Sequence, residues 1–194
     1  PTELDWDEPR RVAEAVSELE LEHVVVTSVN RDELADGGAA IFAETIRLCR
    51  AARPGMTIEV LIPDFKGDED ALRVVVETRP DILNHNLETV KRLQKPVRKR
   101  ARWERSLYVL RRAKEMAVDI GYAAHTKSSL MVGLGETREE LTEAFEALRA
   151  VDVDAVDRVR VGLPEAVAGR VVNEQLTALE RGAHAVAVEQ VERP

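Results

Sequence analysis

Short, almost wholly apolar runs alternate with helix-period segments along most of this chain, and that alternation restricts its fold more than any other feature. Residues 23–29 ("HVVVTSV") are too apolar for a strand with one wet face and suit a parallel sheet covered on both sides. Residues 57–63 ("TIEVLIP"), 80–86 ("PDILNHN") and 123–133 ("AAHTKSSLMVG") predict three more strands, the last breaking in its middle. Between them the apolar positions fall at helical spacing. One helix opens at Asp7-Glu8-Pro9 and uses Val12, Ala15, Val16 and Leu19; others cover 39–52, 69–78, a short stretch from Glu88, and 102–117. Thr137 and Glu140 form a capping box that starts a helix burying Leu141, Phe145 and Leu148. The tail predicts a strand over 155–161, a helix over 164–181 and a strand over 183–189.

Repeated βα units mean an α/β fold with parallel strands and right-handed crossovers. With no Rossmann glycine fingerprint, the pattern favours an open or partial (β/α) barrel, a doubly wound sheet being the alternative. In both, chemistry sits where strands end and helices begin. Aromatics make up only 4% of the 194 residues, so aliphatic side chains and Ala must fill the core. A formal charge of −8 argues against nucleic acid as a partner. No apolar stretch approaches the roughly 18 residues of a membrane span, so no membrane partner is expected and the cytoplasm is the expected location. Cys49 is the sole cysteine; it reads as a small core residue, and no metal ligand set is expected.

Four polar clusters fall at the predicted strand ends. The first holds Thr27, Ser28, Asn30, Arg31, Asp32, Asp36, Gly37 and Gly38; the second runs from Pro63 to Asp68. The third is "NHNLET", with Asn84, Asn86 and Glu88, and the fourth spans His125 to Glu136, with Lys127, Ser128, Gly133 and Gly135. Asn84 and Asn86 share one strand face and need partners if buried, while His85 points the other way, toward a helix. Each cluster also has a plainer reading: Asp36-Gly37-Gly38 as a turn and helix start, and the basic run from Lys91 to Arg100 as a solvated face. The backbone N–H groups of residues 133–136, ahead of a capped helix, suit an anionic or polar ligand.

Together "VVVTSVNRDELADGGA", "IEVLIPDFKGD", "NHNLETV" and "TKSSLMVGLGET" strongly resemble the lipoyl synthase family of radical S-adenosylmethionine (SAM) enzymes, over about residues 7–154. The resemblance implies a partial TIM-type barrel of the radical SAM kind, missing its first strand, over 1–154. Residues 155–194 would be a divergent tail, completing the sheet or not. It implies SAM as cofactor, 4Fe–4S clusters, and insertion of sulfur at C6 and C8 of an octanoyl group on a lipoyl carrier protein. By it, Thr27, Ser28, Arg31, Asp32, Asp36, Gly37 and Gly38 hold the methionyl end. Asn84, Asn86 and Glu88 reach the ribose and amino-acid portions, Lys127 and Ser128 lie toward the substrate end, and Gly133, Gly135 and Glu136 back the adenosine. The basic stretch after Lys91 would dock the acidic carrier.

The family's CxxxCxxC loop, its second cysteine set and its Arg-Ser-Ser-Tyr motif do not occur here. The cluster ligands are therefore absent from this chain, which reads as a fragment, a frameshift product or a divergent cluster-free relative, inactive alone. No catalytic residue is assigned. Two other functions fit particular residues: a Schiff-base, aldolase-type enzyme built on Lys127, or a cluster-free barrel that binds the lipoyl carrier.

Overall fold

The computed structural model describes residues 4–29, 31 and 33–160. Strands β1 (His23–Thr27), β2 (Thr57–Leu61), β3 (Ile82–Asn84), β4 (His125–Val132) and β5 (Ala155–Arg160) lie side by side in chain order, each parallel to its neighbours. Among the described strands the order never reverses, so they contain no topological switch point. The sheet is wound one way, as in part of a (β/α) barrel, and the doubly wound alternative is set aside. Helices α1 (Glu8–Glu18), α2 (Ala39–Ala52), α3 (Glu69–Val76), α4 (Lys91–Val97), α5 (Trp103–Asp119) and α6 (Arg138–Ala150) flank the strands. Among the described residues no helix is long and apolar enough to cross a membrane.

Alternation along each strand assigns its side chains to two faces. Val24, Val26, Ile58, Val60, Ile62 and Leu83 pack with Phe42, Ile46, Cys49, Leu72 and Met116 in one core. Leu130 and Val156 join Leu87, Trp103, Leu110 and Leu148 in a second. The intervening residues belong to neither core. Register pairs Val25 with Glu59, Asn84 with Lys127 and Ser129 with Asp157, and these line the opposite, concave face.

Three local expectations are corrected. β4 runs unbroken for eight residues, because β3 and β5 pair along it and Ser128 Oγ accepts the Leu87 N–H at 3.1 Å. The helix expected from Glu88 starts at Lys91 instead. Glu88 has φ 69° and bridges to β4, its N–H donating to the Ser129 carbonyl and its own carbonyl accepting from Met131. β1 ends at Thr27, two residues early. The strand expected over 155–161 forms as β5, which makes six register pairs with β4. The helix over 164–181 and strand over 183–189 lie outside the described residues.

The capping box forms as expected: Thr137 Oγ1 accepts the Glu140 N–H while Glu140 accepts the Thr137 N–H. Glu140 is also gripped by Arg92, at 2.6 and 2.9 Å, which ties α4 to α6. That guanidinium, with the Thr137 N–H, lowers the Glu140 carboxyl from its ordinary 4.5 to about 2. A depressed native pKa stabilises the fold above the unfolded value, and the contribution disappears as pH falls through the native one. In urea denaturation, Arg92→Met is expected to be less stable than the parent at pH 7, with the gap closing between pH 4.5 and about 2. A gap independent of pH would contradict this.

Candidate functional site

The concave face carries a chain of polar side chains across all five described strands. Lys127 Nζ stands 2.9 Å from Asp157 Oδ2 and 3.2 Å from Glu59 Oε1. Asn84 Nδ2 donates to Glu59 Oε1 at 2.8 Å, and His23 Nε2 lies 3.7 Å from Glu59 Oε2. The Glu59 side chain is 4% exposed and that of Lys127 17%. Burial by itself favours a neutral amine at Lys127, but the Asp157 hydrogen bond and the charges of Glu59 and Asp157 outweigh it and raise the lysine pKa. A Schiff base needs the neutral amine, so the aldolase-type alternative loses its nucleophile. Sequence reasoning missed Glu59 and Asp157. A single acid inside the apolar run "TIEVLIP" was the available signal for Glu59.

At the end of β3 two acceptors stay unmet. Asn84 Oδ1 and Asn86 Oδ1 are buried without a hydrogen-bond partner. Asn86 Nδ2 reaches Glu88 Oε1 only at 3.4 Å, and its main-chain carbonyl accepts from Arg98 at 3.4 Å. His85, on the other face, lies between the Ile62 carbonyl at 2.9 Å and Ser106 Oγ at 3.0 Å. Burial lowers its pKa and keeps the ring neutral. Ser128 departs from expectation: it follows Lys127 on a strand, so it faces the helices, fully buried, and Ser129 takes the place beside Lys127.

Around β1 the structure favours the plainer reading of Asp36. Its carboxylate accepts the N–H groups of Gly38 and Ala40 at 3.0 and 2.9 Å, holding the start of α2. Gly37 and Gly38 have φ of 60° and 88°, and a Cβ on Gly37 would come 3.1 Å from Phe65 Cδ1. Arg31 pairs with Glu33 at 2.8 Å and, with Gly37, lines a cleft of about 20 Å³ against Asp64, Phe65 and Lys66. Thr27 Oγ1 donates to the Leu61 carbonyl at 3.3 Å and Ser28 Oγ to the Val29 carbonyl at 3.0 Å; both residues are exposed. Asp32 lies outside the described residues. The residues lining the Arg31 cleft include neither Asn86 nor Lys127.

The N–H groups of Gly133 and Leu134 are already taken by the Glu136 carboxylate, at 2.5 and 2.9 Å, and Arg92 binds the Gly135 carbonyl at 2.8 Å. That loop satisfies itself, which corrects its reading as an open anion cradle. Much of the basic run is also engaged: Lys91 with Glu104, Arg92 with Glu140, Arg98 with the Asn86 carbonyl. Lys95, Lys99 and Arg102 are exposed. Cys49 is fully buried in α2, and burial pushes its thiol pKa up. Among the described residues no three His, Cys, Asp or Glu side chains are grouped to hold a metal ion.

Comparison with known proteins agrees with the fold. The Radical SAM superfamily profile matches residues 1–148. Lipoyl synthase of Symbiobacterium thermophilum is 60% identical over 156 residues, covering 80% of this chain and 48% of that protein. Lipoyl synthase of Geobacillus kaustophilus is 60% identical over 154 residues, covering 79% and 50%. The chain thus spans about half the length of the curated relatives it matches. Among solved structures, methylornithine synthase superposes with a TM-score of 0.63 at 17% identity, over 84% of this chain and 45% of that one. Coproporphyrinogen III oxidase from Escherichia coli gives 0.56 at 16%, over 80% and 36%. These two likenesses establish the shared fold.

The Lys127 ion pairs give a direct expectation. Borohydride treatment with small aldehydes and ketones at pH 7, followed by peptide mass spectrometry, should leave Lys127 unmodified while exposed Lys95 and Lys99 are reductively alkylated. Preferential modification of Lys127 would show that the amine is neutral and reachable.

Proposed function

We propose that this chain, which belongs to the radical SAM superfamily, is the SAM-binding barrel core of a lipoyl synthase-type enzyme. The observation carrying this reading is the pair of buried, unpartnered acceptors Asn84 Oδ1 and Asn86 Oδ1 at the end of β3. A buried acceptor without a donor costs about 1–3 kcal/mol, so two neighbours at a strand end call for a ligand that donates. Bound there, SAM supplies hydroxyl and ammonium donors and an electron-accepting sulfonium. Asn84, Asn86 and Glu88 would hold its ribose and ammonium. Thr27, Ser28, Arg31 and Asp32 would receive the methionyl end in a loop shaped by Asp36, Gly37 and Gly38. Lys127 would lie toward the substrate, and the loop containing Gly133, Gly135 and Glu136 would back the adenosine.

The other family cofactor does not fit these residues. A 4Fe–4S cluster needs several thiolates, and the one cysteine of this chain is buried in the core of α2. No step is derived through a cluster here, and the 194-residue chain alone is proposed to bind SAM without turnover. The reaction it belongs to is proposed to be sulfur insertion at C6 and C8 of a protein-bound octanoyl group, in the cytoplasm. The partner would be the octanoylated carrier, met by the exposed Lys95, Lys99 and Arg102. The binding core is proposed to be residues 1–154, with 155–194 a divergent tail, of which β5 extends the sheet.

Scanning calorimetry of the purified chain tests the reading. SAM at a hundredfold its dissociation constant should stabilise the fold by about 2.7 kcal/mol, seen as a rise in Tm. Asn86→Ala should remove most of that rise. An unchanged Tm at millimolar SAM would overturn the assignment.

A further inference from the structure

Glu59 is the best-buried charged group on the concave face, and its contacts constrain more than its own position. A carboxylate only accepts hydrogen bonds. The Asn84 group 2.8 Å from Glu59 Oε1 is therefore its NH2, and the Asn84 carbonyl oxygen is turned to the other side. There it is buried and unpartnered, on a residue 7% exposed. Without such an acceptor beside it, the Asn84 amide could turn over and present its NH2 in place of its oxygen. The carboxylate forbids that turn. Glu59 Oε1 also lies 3.2 Å from Lys127 Nζ, which Asp157 grips from β5.

We propose that Glu59 is a positioning residue for the bound small molecule: it fixes the Asn84 amide with its oxygen toward the ligand, so that only a ligand offering a hydroxyl or ammonium donor at that point is held. This rests on the SAM-binding reading above. It adds a residue from β2 to a site otherwise built from the ends of β1, β3 and β4, and it explains a buried acid in the middle of an apolar strand. Neither Glu59 nor Asp157 touches the ligand in this arrangement. Both act through Asn84 and Lys127.

A double-mutant cycle tests the proposal, with SAM titrated calorimetrically into the full 194-residue chain. Glutamine at position 59 donates as well as accepts, so Glu59→Gln releases the Asn84 amide and should weaken binding about tenfold, the factor that 1.4 kcal/mol produces. In an Asn84→Ala background the same change should alter affinity less than about twofold, because the group it positions is gone. An equal loss in both backgrounds, or no loss in the parent, would overturn the proposal. A second measurement needs no ligand: in the parent chain the Asn84 side-chain amide protons should be protected from exchange by NMR, and Glu59→Gln should remove that protection. Fast-exchanging Asn84 amide protons in the parent would refute the positioning role. If the parent fails to bind SAM while this protection is observed, the cofactor reading falls and the amide orientation stands.

Discussion

Everything at this site depends on parallel pairing in which strands follow one another in chain order. Register partners share a face, so one sequence position chosen for the core fixes the side of its neighbours on the next strand. Ile58, Val60, Leu83 and Leu130 commit their strands to the helices. Glu59, Asn84, Lys127 and Asp157 are thereby left together on the concave side, although they lie up to 98 residues apart in the chain. Their association is a consequence of hydrophobic burial on the opposite face. It is not itself a strong source of stability: taking charges out of water offsets much of what an ion pair gains. A buried acid retained under those terms is better explained by what it orients.

The polar loops divide according to where their hydrogen bonds go. Asp36, Ser128 and Glu136 satisfy backbone N–H groups of their own or neighbouring segments. These residues make the strand-to-helix turns possible, and their side chains have little capacity left for a ligand. Asn84 and Asn86 differ, because each keeps a buried oxygen with nothing to accept from. The density of polar residues after β1 thus has a mixed origin. Asp36 and the two glycines at φ near 60° and 88° build the entry to α2, while Arg31 faces the small cleft beside Phe65.

Much of this was legible in the sequence, because periods of two and 3.6 are written in the apolar positions whatever the tertiary context. The bounds of α2 and the Thr137–Glu140 box could be read residue by residue. What failed depended on partners distant in the chain. The hydroxyls of Ser128 and Ser129 look like strand breakers until β3 and β5 are seen on either side of β4. Glu88 looks like a helix start until its main chain is seen bridging to Leu130. Ser128 and Lys127, consecutive on β4, face opposite sides of the sheet, which the strand period of two already dictates. Glu59 is hidden in the sequence by the apolar residues on both sides of it, which define the run as a buried strand.

The same structure separates two tasks that radical SAM chemistry joins. Holding a small molecule with hydroxyl and ammonium groups needs acceptors aimed from strand ends, the role proposed here for the Asn84 amide, braced by Glu59, and for Asn86. Holding an iron–sulfur cluster needs thiolates, which are soft, ionised and exposed to the site. Cys49 has the opposite character, with its thiol buried among Ile46, Phe42 and Met116 on the helix side of the sheet. No rotation of α2 short of dismantling that core would turn it toward the concave face. The proposed ligand binding would thus draw on the strands of this chain, whereas its one cysteine cannot supply the thiolates of a cluster.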